Sequence, residues 1–310
     1  MHPQLALTLG PEVRAGLTNP AGRTLPAKAL YDDVGSALFE VITLLPEYGL
    51  TRAGIRLLTH HSGAIAELAQ ASEIVELGSG SGTKTRILLS AFGPGVSYRP
   101  IDVSAAALER CRVELKEFEV KPIEAEFIPG LHQAVRERSS GALLAAFLGS
   151  NIGNFERHAI APFLASVRGQ LRPGDTFLLG ADLVKPVAQL IEAYDDPAGV
   201  TAAFNKNLLA RLNRDFDADF NLRCFDHEVR WNARERRIEM HLRANADQRV
   251  RVGSLELDLT IRAGETIWTE SSHKFEVAEL AAIAKDSGFE LLQHWTDAGW
   301  PFAEMLFRTS

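Results

Sequence analysis

The run Val75-Glu76-Leu77-Gly78-Ser79-Gly80-Ser81-Gly82-Thr83-Lys84-Thr85 sets three alternating glycines behind a short apolar stretch, with a carboxylate two residues before the first glycine. Glycines placed this way let bare backbone approach a nucleotide-like ligand at a strand-to-helix turn. Their spacing decides which ligand. A triphosphate loop requires Gly-x-x-x-x-Gly-Lys-Thr; Lys84-Thr85 is present, but Thr83 stands in the place of the second glycine. A dinucleotide loop requires Gly-x-Gly-x-x-Gly, and here the third glycine arrives one residue early, at Gly82. The pattern acidic-x-Gly-x-Gly-x-Gly fits without a gap through Glu76, Gly78, Gly80 and Gly82. A glycine-rich turn without a ligand is the plainer alternative.

Downstream residues weigh against that alternative. Tyr98-Arg99-Pro100-Ile101-Asp102-Val103-Ser104 reads as a second strand ending in an acid. Asp102 is placed to accept both hydroxyls of a ribose. It could instead cap the helix that starts near Ser104. Glu126-Phe127 closes the expected third strand and offers a polar group beside an aromatic ring.

The glycine pattern resembles motif I of the class I S-adenosylmethionine-dependent methyltransferases. In that group an acid or amide at the position of Glu126 meets the adenine amino group, and an apolar neighbour such as Phe127 lies against the ring. Further stretches narrow the likeness. They are Tyr31-Asp32-x-x-Gly35-Ser36-x-Leu38-Phe39-Glu40, Leu45-Pro46-Glu47-Tyr48-x-x-Thr51-Arg52 and Phe147-Leu148-Gly149-Ser150-x-Ile152-Gly153-Asn154-Phe155. Three more are Ala193-Tyr194-Asp195-Asp196-x-Ala198-Gly199-Val200-Thr201-x-x-Phe204-Asn205, Arg237-Ile238-Glu239-Met240 and Thr269-Glu270-x-Ser272-x-Lys274. Together they resemble the histidine-specific Nα-methyltransferase family of ergothioneine biosynthesis, from about Tyr31 to Phe307. The resemblance implies triple methylation of the α-amine of free L-histidine to hercynine, with S-adenosyl-L-methionine as cofactor.

By resemblance, Gly78, Gly80, Lys84, Asp102, Glu126 and Phe127 bind the cofactor. Asn154 and Tyr194 hold the amino-acid end of the substrate. Tyr48, Glu270 and Ser272 form the imidazole pocket, Met240 packs nearby, and Tyr31 lies close to the reacting amine. The residue types agree with these roles. An amide after the fourth strand can donate to a carboxylate and accept from an amine at once. Glu270 and Ser272 are two apart on a strand and share a face, where a carboxylate and a hydroxyl can fix an imidazole. Each taken alone has a plainer reading: a core tyrosine, a solvated strand face, a methionine that fills space. The expected chemistry is direct in-line displacement, with Tyr31 and Asn154 as the catalytic candidates. The sulfonium leaves as a neutral thioether and needs no acid. The amine proton passes to water or a weak base, and Tyr31 orients the amine or that water. Departures from the family pattern fall at Gly49 and Leu50, where Tyr-Pro is common, at Val34 for a basic residue, at Glu126 for Asp, and at His273. Two other functions compete: methylation of another aromatic amino acid such as tryptophan, and a non-catalytic sensor of the cofactor.

The elements that must position these residues follow from apolar periodicity. Residues 1 to about 30 read as a loosely ordered arm, followed by helices over 35–45 and 51–70. Strands at 74–78, 97–102, 123–127, 143–148 and 175–181 alternate with amphipathic helices, which specifies a mostly parallel α/β sheet. Residues 186–215 read as helical. Short alternating runs follow at 225–231, 237–242, 255–261 and 266–272, then a helix from Glu276 to Ser287 and two closing strands at 289–296 and 302–308. The expected fold class is α/β: a Rossmann-like class I methyltransferase sheet with an inserted α+β substrate subdomain. The expected divisions are 1–184 for the N-terminal arm and sheet core, 185–273 for the inserted substrate-binding subdomain, and 274–310 for the end of the core.

The totals set wider limits. The chain has 310 residues, 46% hydrophobic and 24% charged, with net charge −7. That composition is of an ordinary globular protein and disfavours nucleic acid and anionic membranes as partners. No run is long enough to span a bilayer. Met1-His2-Pro3-Gln4 shows no export signal, and Cys111 and Cys224 lie far apart without metal spacing. The expectation is a cytoplasmic monomer acting on a small molecule, with no metal; His60-His61 reads as a surface helix pair.

Overall fold

A computed structural model describes residues 3–80, 82–138 and 141–309. In chain order the first elements are α1 (Pro3–Leu17), β1 (Arg23–Thr24), α2 (Asp33–Leu44), α3 (Gly49–Ala69), β2 (Ala71–Leu77) and α4 (Thr83–Phe92). Next come β3 (Ser97–Asp102), α5 (Ala105–Glu114), β4 (Glu119–Val120), β5 (Ile123–Glu124), α6 (Phe127–Glu137) and β6 (Ala142–Phe147). Then follow α7 (Arg157–Gln170), β7 (Thr176–Asp182), α8 (Val187–Tyr194), α9 (Val200–Asp215), β8 (Phe225–Asn232) and β9 (Arg237–Ala244). The chain ends with β10 (Gln248–Val252), β11 (Leu257–Ile261), β12 (Thr266–His273), α10 (Val277–Asp286), β13 (Phe289–Thr296) and β14 (Phe302–Thr309).

The chain divides into two compact units, one of Met1–Tyr48 with Pro186–Ser272, the other of Gly49–Lys185 with His273–Ser310. The second is the α/β unit. Its sheet runs β13–β14–β7–β6–β2–β3–β4, with β5 also paired to β3. Strands β2 to β7 pair in parallel, and β14 and β13 close the sheet antiparallel. Strands buried on both faces are near-continuously apolar, as in Ile74-Val75, Leu143–Phe147 and Phe177–Leu179. The strand order reverses around β2, and the glycine loop leaves the carboxyl end of that strand. That is where open α/β sheets receive ligands. One expected strand is cut short. Glu126 and Phe127 do not end a strand; β5 stops at Glu124, and Phe127 opens α6 with Glu126 at the N-cap. Pro129 in the first turn suits a helix start, where its missing N–H costs nothing.

The other unit holds the sheet β1–β12–β9–β8 and a separate pair β10–β11. Residues 1 to about 30 were expected to be a loose arm, and 1–184 to be arm and sheet core together; residues 1–48 group with 186–272 instead. Helix α1 buries Leu9, Val13 and Leu17, a four-residue spacing that marks one helical face. Gly10, Pro11 and Gly16 hide that pattern in the sequence. Gly16 is needed, because a Cβ there would lie 2.3 Å from the carbonyl oxygen of Thr24. Strand β1 then pairs in parallel with β12, Arg23 opposite Ile267 and Thr24 opposite Trp268. The helical stretch 186–215 is two helices. Asp196 breaks it by accepting the N–H groups of Val200 (2.9 Å) and Thr201 (2.7 Å), which caps α9. Strand β10 was not anticipated, although Gln248-Arg249-Val250-Arg251-Val252 alternates with period two and buries Val250 and Val252.

Candidate active site

In the α/β unit the loop after β2 holds Gly78, Gly80 and Gly82 at φ of 73°, 52° and 76°. Only glycine adopts this region without strain. A Cβ on Gly78 would lie 2.9 Å from Nδ2 of Asn151 and 3.2 Å from the ring of Phe127, whereas one on Gly80 would meet nothing within 4 Å. Gly80 therefore presents bare backbone to open space. Its N–H donates to Oδ2 of Asp102 at 3.2 Å, and the Ser104 N–H donates to Oδ1 at 3.0 Å. Ser104 itself caps α5 through the Ala107 N–H, so Asp102 is not the cap. Burial pushes the Asp102 carboxyl up, against the pull of the Ser104, Gly80 and Val103 N–H groups. A carboxylate accepts about four hydrogen bonds, so these backbone bonds leave capacity for a ribose hydroxyl. Among the described residues Oγ of Ser79 is buried without a hydrogen-bond partner. Open space over Gly80, an acid at the next strand end and an orphaned hydroxyl in the loop fit an adenosyl group.

The remaining cofactor candidates surround this loop. The Phe127 ring packs on Phe147, centroids 5.2 Å apart, and forms a wall beside Gly78. Glu126 is exposed at the head of α6. Lys84 lies in the first turn of α4, and a Cβ on Gly149 would come within 2.6 Å of its ammonium. Glu76, the acid of the glycine motif, takes a structural part: its carboxylate accepts the hydroxyls of Thr85 and Tyr98, tying α4 and β3 to β2. Asn154 ends a 3-10 turn, Asn151–Asn154, and is exposed. That turn starts from Ser150 in the left-handed region, φ 65°, where its Oγ accepts the Asp182 N–H at 2.9 Å. A Cβ on Gly153 would lie 3.0 Å from the His273 carbonyl oxygen, so a glycine lets the turn sit on that backbone. At Gly49, a departure from the family pattern, a Cβ would fall 2.1 Å from the indole of Trp300.

In the other unit, Tyr31, Tyr48, Tyr194, Glu270 and Ser272 come together. The Tyr31 hydroxyl donates to Oε1 of Glu270 at 3.2 Å, and the Tyr194 hydroxyl donates to Oγ of Ser272 at 2.7 Å. The rings of Tyr48 and Tyr194 meet edge-to-face at 6.0 Å, and Phe39 bridges Tyr31 (5.7 Å) and Tyr48 (6.3 Å). All five are buried or nearly so, with Glu270 at 9% exposure. Burial, then the charge of Glu270, raises the Tyr31 phenol well above its ordinary value, so it stays protonated at neutral pH. Met240 is buried on β9, and its carbonyl accepts the Thr269 hydroxyl at 3.0 Å.

Local chemistry explains why these side chains hang where they do. Asp32 accepts Gly35 N–H (2.7 Å), Nδ2 of Asn207 (2.8 Å) and Arg214 (2.7 Å), pinning the start of α2 beside Tyr31. Gly35 admits no side chain, since a Cβ would be 1.7 Å from the Leu30 oxygen. Sequence reasoning missed a second support. Asn205, 0% exposed, donates to Nδ1 of His227 (2.9 Å) and the His241 carbonyl (3.0 Å) and accepts the Thr269 hydroxyl (2.7 Å). Nε2 of His227 lies 2.8 Å from the Tyr194 carbonyl oxygen. Burial lowers the His227 pKa, and a neutral ring donating through Nε2 satisfies both contacts. The signal for Asn205 was its place in an apolar helical stretch. Asn151, also missed, stood unremarked inside the Gly-Ser-x-Ile-Gly-Asn run.

Other expectations fall outside these clusters. His61 stacks on Trp295 at 5.3 Å while His60 is exposed. Both cysteines are free thiols, with Cys111 buried and pushed up to about 12 by burial and the Glu76 charge. Among the described residues no group of three or more His, Cys, Asp or Glu could hold a metal ion, and no helix is long and apolar enough to cross a membrane. Met1, His2 and Ser81 lie outside the described residues.

A model of the family described as histidine-specific methyltransferase, SAM-dependent, matches residues 9–309. The chain belongs to this family. It is 43% identical to the histidine N-alpha-methyltransferase of Mycobacterium tuberculosis, over 96% of this chain and 93% of that one. The histidine N-alpha-methyltransferase of Mycolicibacterium smegmatis is also 43% identical, over 94% and 92%. Ergothioneine biosynthesis protein 1 of Neurospora crassa is 30% identical over 88% of this chain, but over only 32% of its own length. As a member of the family the chain is an S-adenosylmethionine-dependent methyltransferase with an α/β sheet core.

Proposed function

We propose that this protein methylates the α-amine of free L-histidine, up to the trimethylated product hercynine, in ergothioneine biosynthesis. Family membership supplies the reaction class. The observation that carries the substrate is the Glu270–Ser272 pair on β12, each already engaged by a tyrosine hydroxyl. Neutral imidazole presents one N–H donor and one acceptor nitrogen. A carboxylate can accept the ring N–H, and a serine hydroxyl can donate to the ring's acceptor nitrogen. Together they match both ring nitrogens.

S-adenosylmethionine supplies the electrophilic methyl group when bound. Gly78, Gly80 and Phe127 line its adenosyl part, Asp102 accepts from the ribose, Glu126 meets the adenine, and Lys84 neutralises its carboxylate. By resemblance, Tyr194 and, in the α/β unit, Asn154 are the candidates for the amino-acid end of histidine. Tyr48 and Met240 pack about the imidazole. Tyr31, protonated at neutral pH and donating to Glu270, offers its oxygen as an acceptor that orients an N–H of the amine or its water, not as a base. The amine proton leaves to water. Aromatic faces tolerate the fixed cation that forms. The same reading has the protein working as a cytoplasmic monomer on a small molecule, without metal, nucleic acid or membrane, with 185–273 as the inserted substrate-binding subdomain.

Incubating the purified protein with S-adenosylmethionine and each of the twenty amino acids, with products followed by mass, tests the reading. One-, two- and three-methyl products from histidine alone are expected. Methylation of tryptophan in place of histidine would refute the imidazole pocket, and cofactor binding without turnover would point to a sensor.

A further inference from the structure

Beside Lys84 lies a buried notch whose carboxyl, Glu304, the reaction as described does not use. Glu304 on β14 is 1% exposed, and its Oε2 has no hydrogen-bond partner among the described residues. It stands opposite Gly180 in the β14–β7 register. A Cβ on Gly180 would lie 3.2 Å from Oε1 of Glu304 and 3.2 Å from the Gly149 nitrogen. A Cβ on Gly149 would in turn lie 2.6 Å from the Lys84 ammonium. On the α3 side, a Cβ on Gly54 would be 3.8 Å from both Oε1 of Glu304 and Cδ of Lys84. Three glycines from three elements thus leave room for one carboxyl and one ammonium. A buried carboxyl is costly and rarely left without company.

We propose that Glu304 is a positioning residue for the cofactor: it shapes the glycine notch around Lys84 and leaves the ammonium's charge available to the carboxylate of S-adenosylmethionine. This rests on the assignment of Lys84 to that carboxylate. The charged groups acting on Glu304 are Lys84 from α4 and Glu76 from β2. Burial first, with Glu76 adding and Lys84 opposing, pushes Glu304 up to about 8. Near neutral pH it holds its proton. Above that value it ionises, pairs with Lys84 and competes with the cofactor's carboxylate.

The test is calorimetric titration of the whole protein with S-adenosylhomocysteine at pH 7 and pH 9, in wild type, Glu304→Gln and Lys84→Met. Wild-type Kd should weaken by roughly tenfold across that interval, the scale of one charge-assisted hydrogen bond. Glu304→Gln cannot ionise and should bind like wild type at pH 7 with a much flatter profile. Comparing slopes cancels the titration of the ligand's own amine. Lys84→Met should be weak, about tenfold, already at pH 7 and should lose the excess slope. Equal slopes in wild type and Glu304→Gln would overturn the proposal, as would a flat wild-type profile if the variant does not fold. An unchanged Kd in Lys84→Met would overturn the Lys84 assignment itself, and the proposal with it.

Discussion

The two compact units build their parts of the chemistry by opposite means. In the α/β unit the candidate cofactor residues cluster around backbone: glycines at positive φ, an acid at a strand end, an aromatic at a helix start. In the other, the clustered candidate substrate residues are side chains from four segments, fastened to each other by hydroxyls and rings. A backbone cradle is local and tolerates much variation around it. A side-chain cluster depends on many distant contacts and reads fine differences between ligands. The first suits a cofactor shared by many enzymes, the second a single amino acid.

Variants can separate the two. Glu270→Ala should have the largest effect, lowering kcat/KM for histidine by about 100-fold or more and shifting preference toward larger apolar rings. A buried polar site left unpaired is what rejects the wrong substrate. Steady-state kinetics on histidine and tryptophan would check it, and an unchanged ratio would sink the pocket. Asp102→Ala should raise the Kd for S-adenosylhomocysteine by roughly ten- to hundredfold, since it removes a charged acceptor of ribose hydroxyls and of the Gly80 N–H. Asn205→Ala should act on stability instead. It removes the amide donor to the His241 carbonyl and to Nδ1 of His227, and one acceptor of the Thr269 hydroxyl, in a fully buried place and should cost about 3 kcal/mol, seen as a lower denaturation midpoint. Tyr194→Phe should be mildest, a loss of about fivefold in kcat/KM with the ring contact to Tyr48 kept.

The same contrast governs what could be read in advance. The glycine loop, Asp102 and the parallel sheet were legible because each is a short-range pattern: a spacing, a strand-end acid, an alternation of apolar runs. The cluster around Glu270 was legible only through resemblance. Nothing in the spacing of Tyr31 and Glu270 announces a hydrogen bond between residues so far apart in sequence. Helix α1 was missed because Gly10 and Pro11 mask Leu9, Val13 and Leu17, and the arm joins β12 through β1, a parallel pairing no local signal specifies. The early end of β5 was a boundary error: Phe127 is apolar enough to extend a strand, but Pro129 favours the helix turn. Asn205 shows a polar residue in an apolar helix face acting as a joint rather than a ligand.

The most direct measurement is a pair of titrations on Glu270→Ala: S-adenosylhomocysteine by calorimetry, and histidine by turnover. The account predicts a cofactor Kd within about twofold of wild type beside the large loss on histidine. A cofactor Kd that moves in step with that loss, or histidine turnover left intact, would contradict a division of labour between backbone cradle and side-chain cluster.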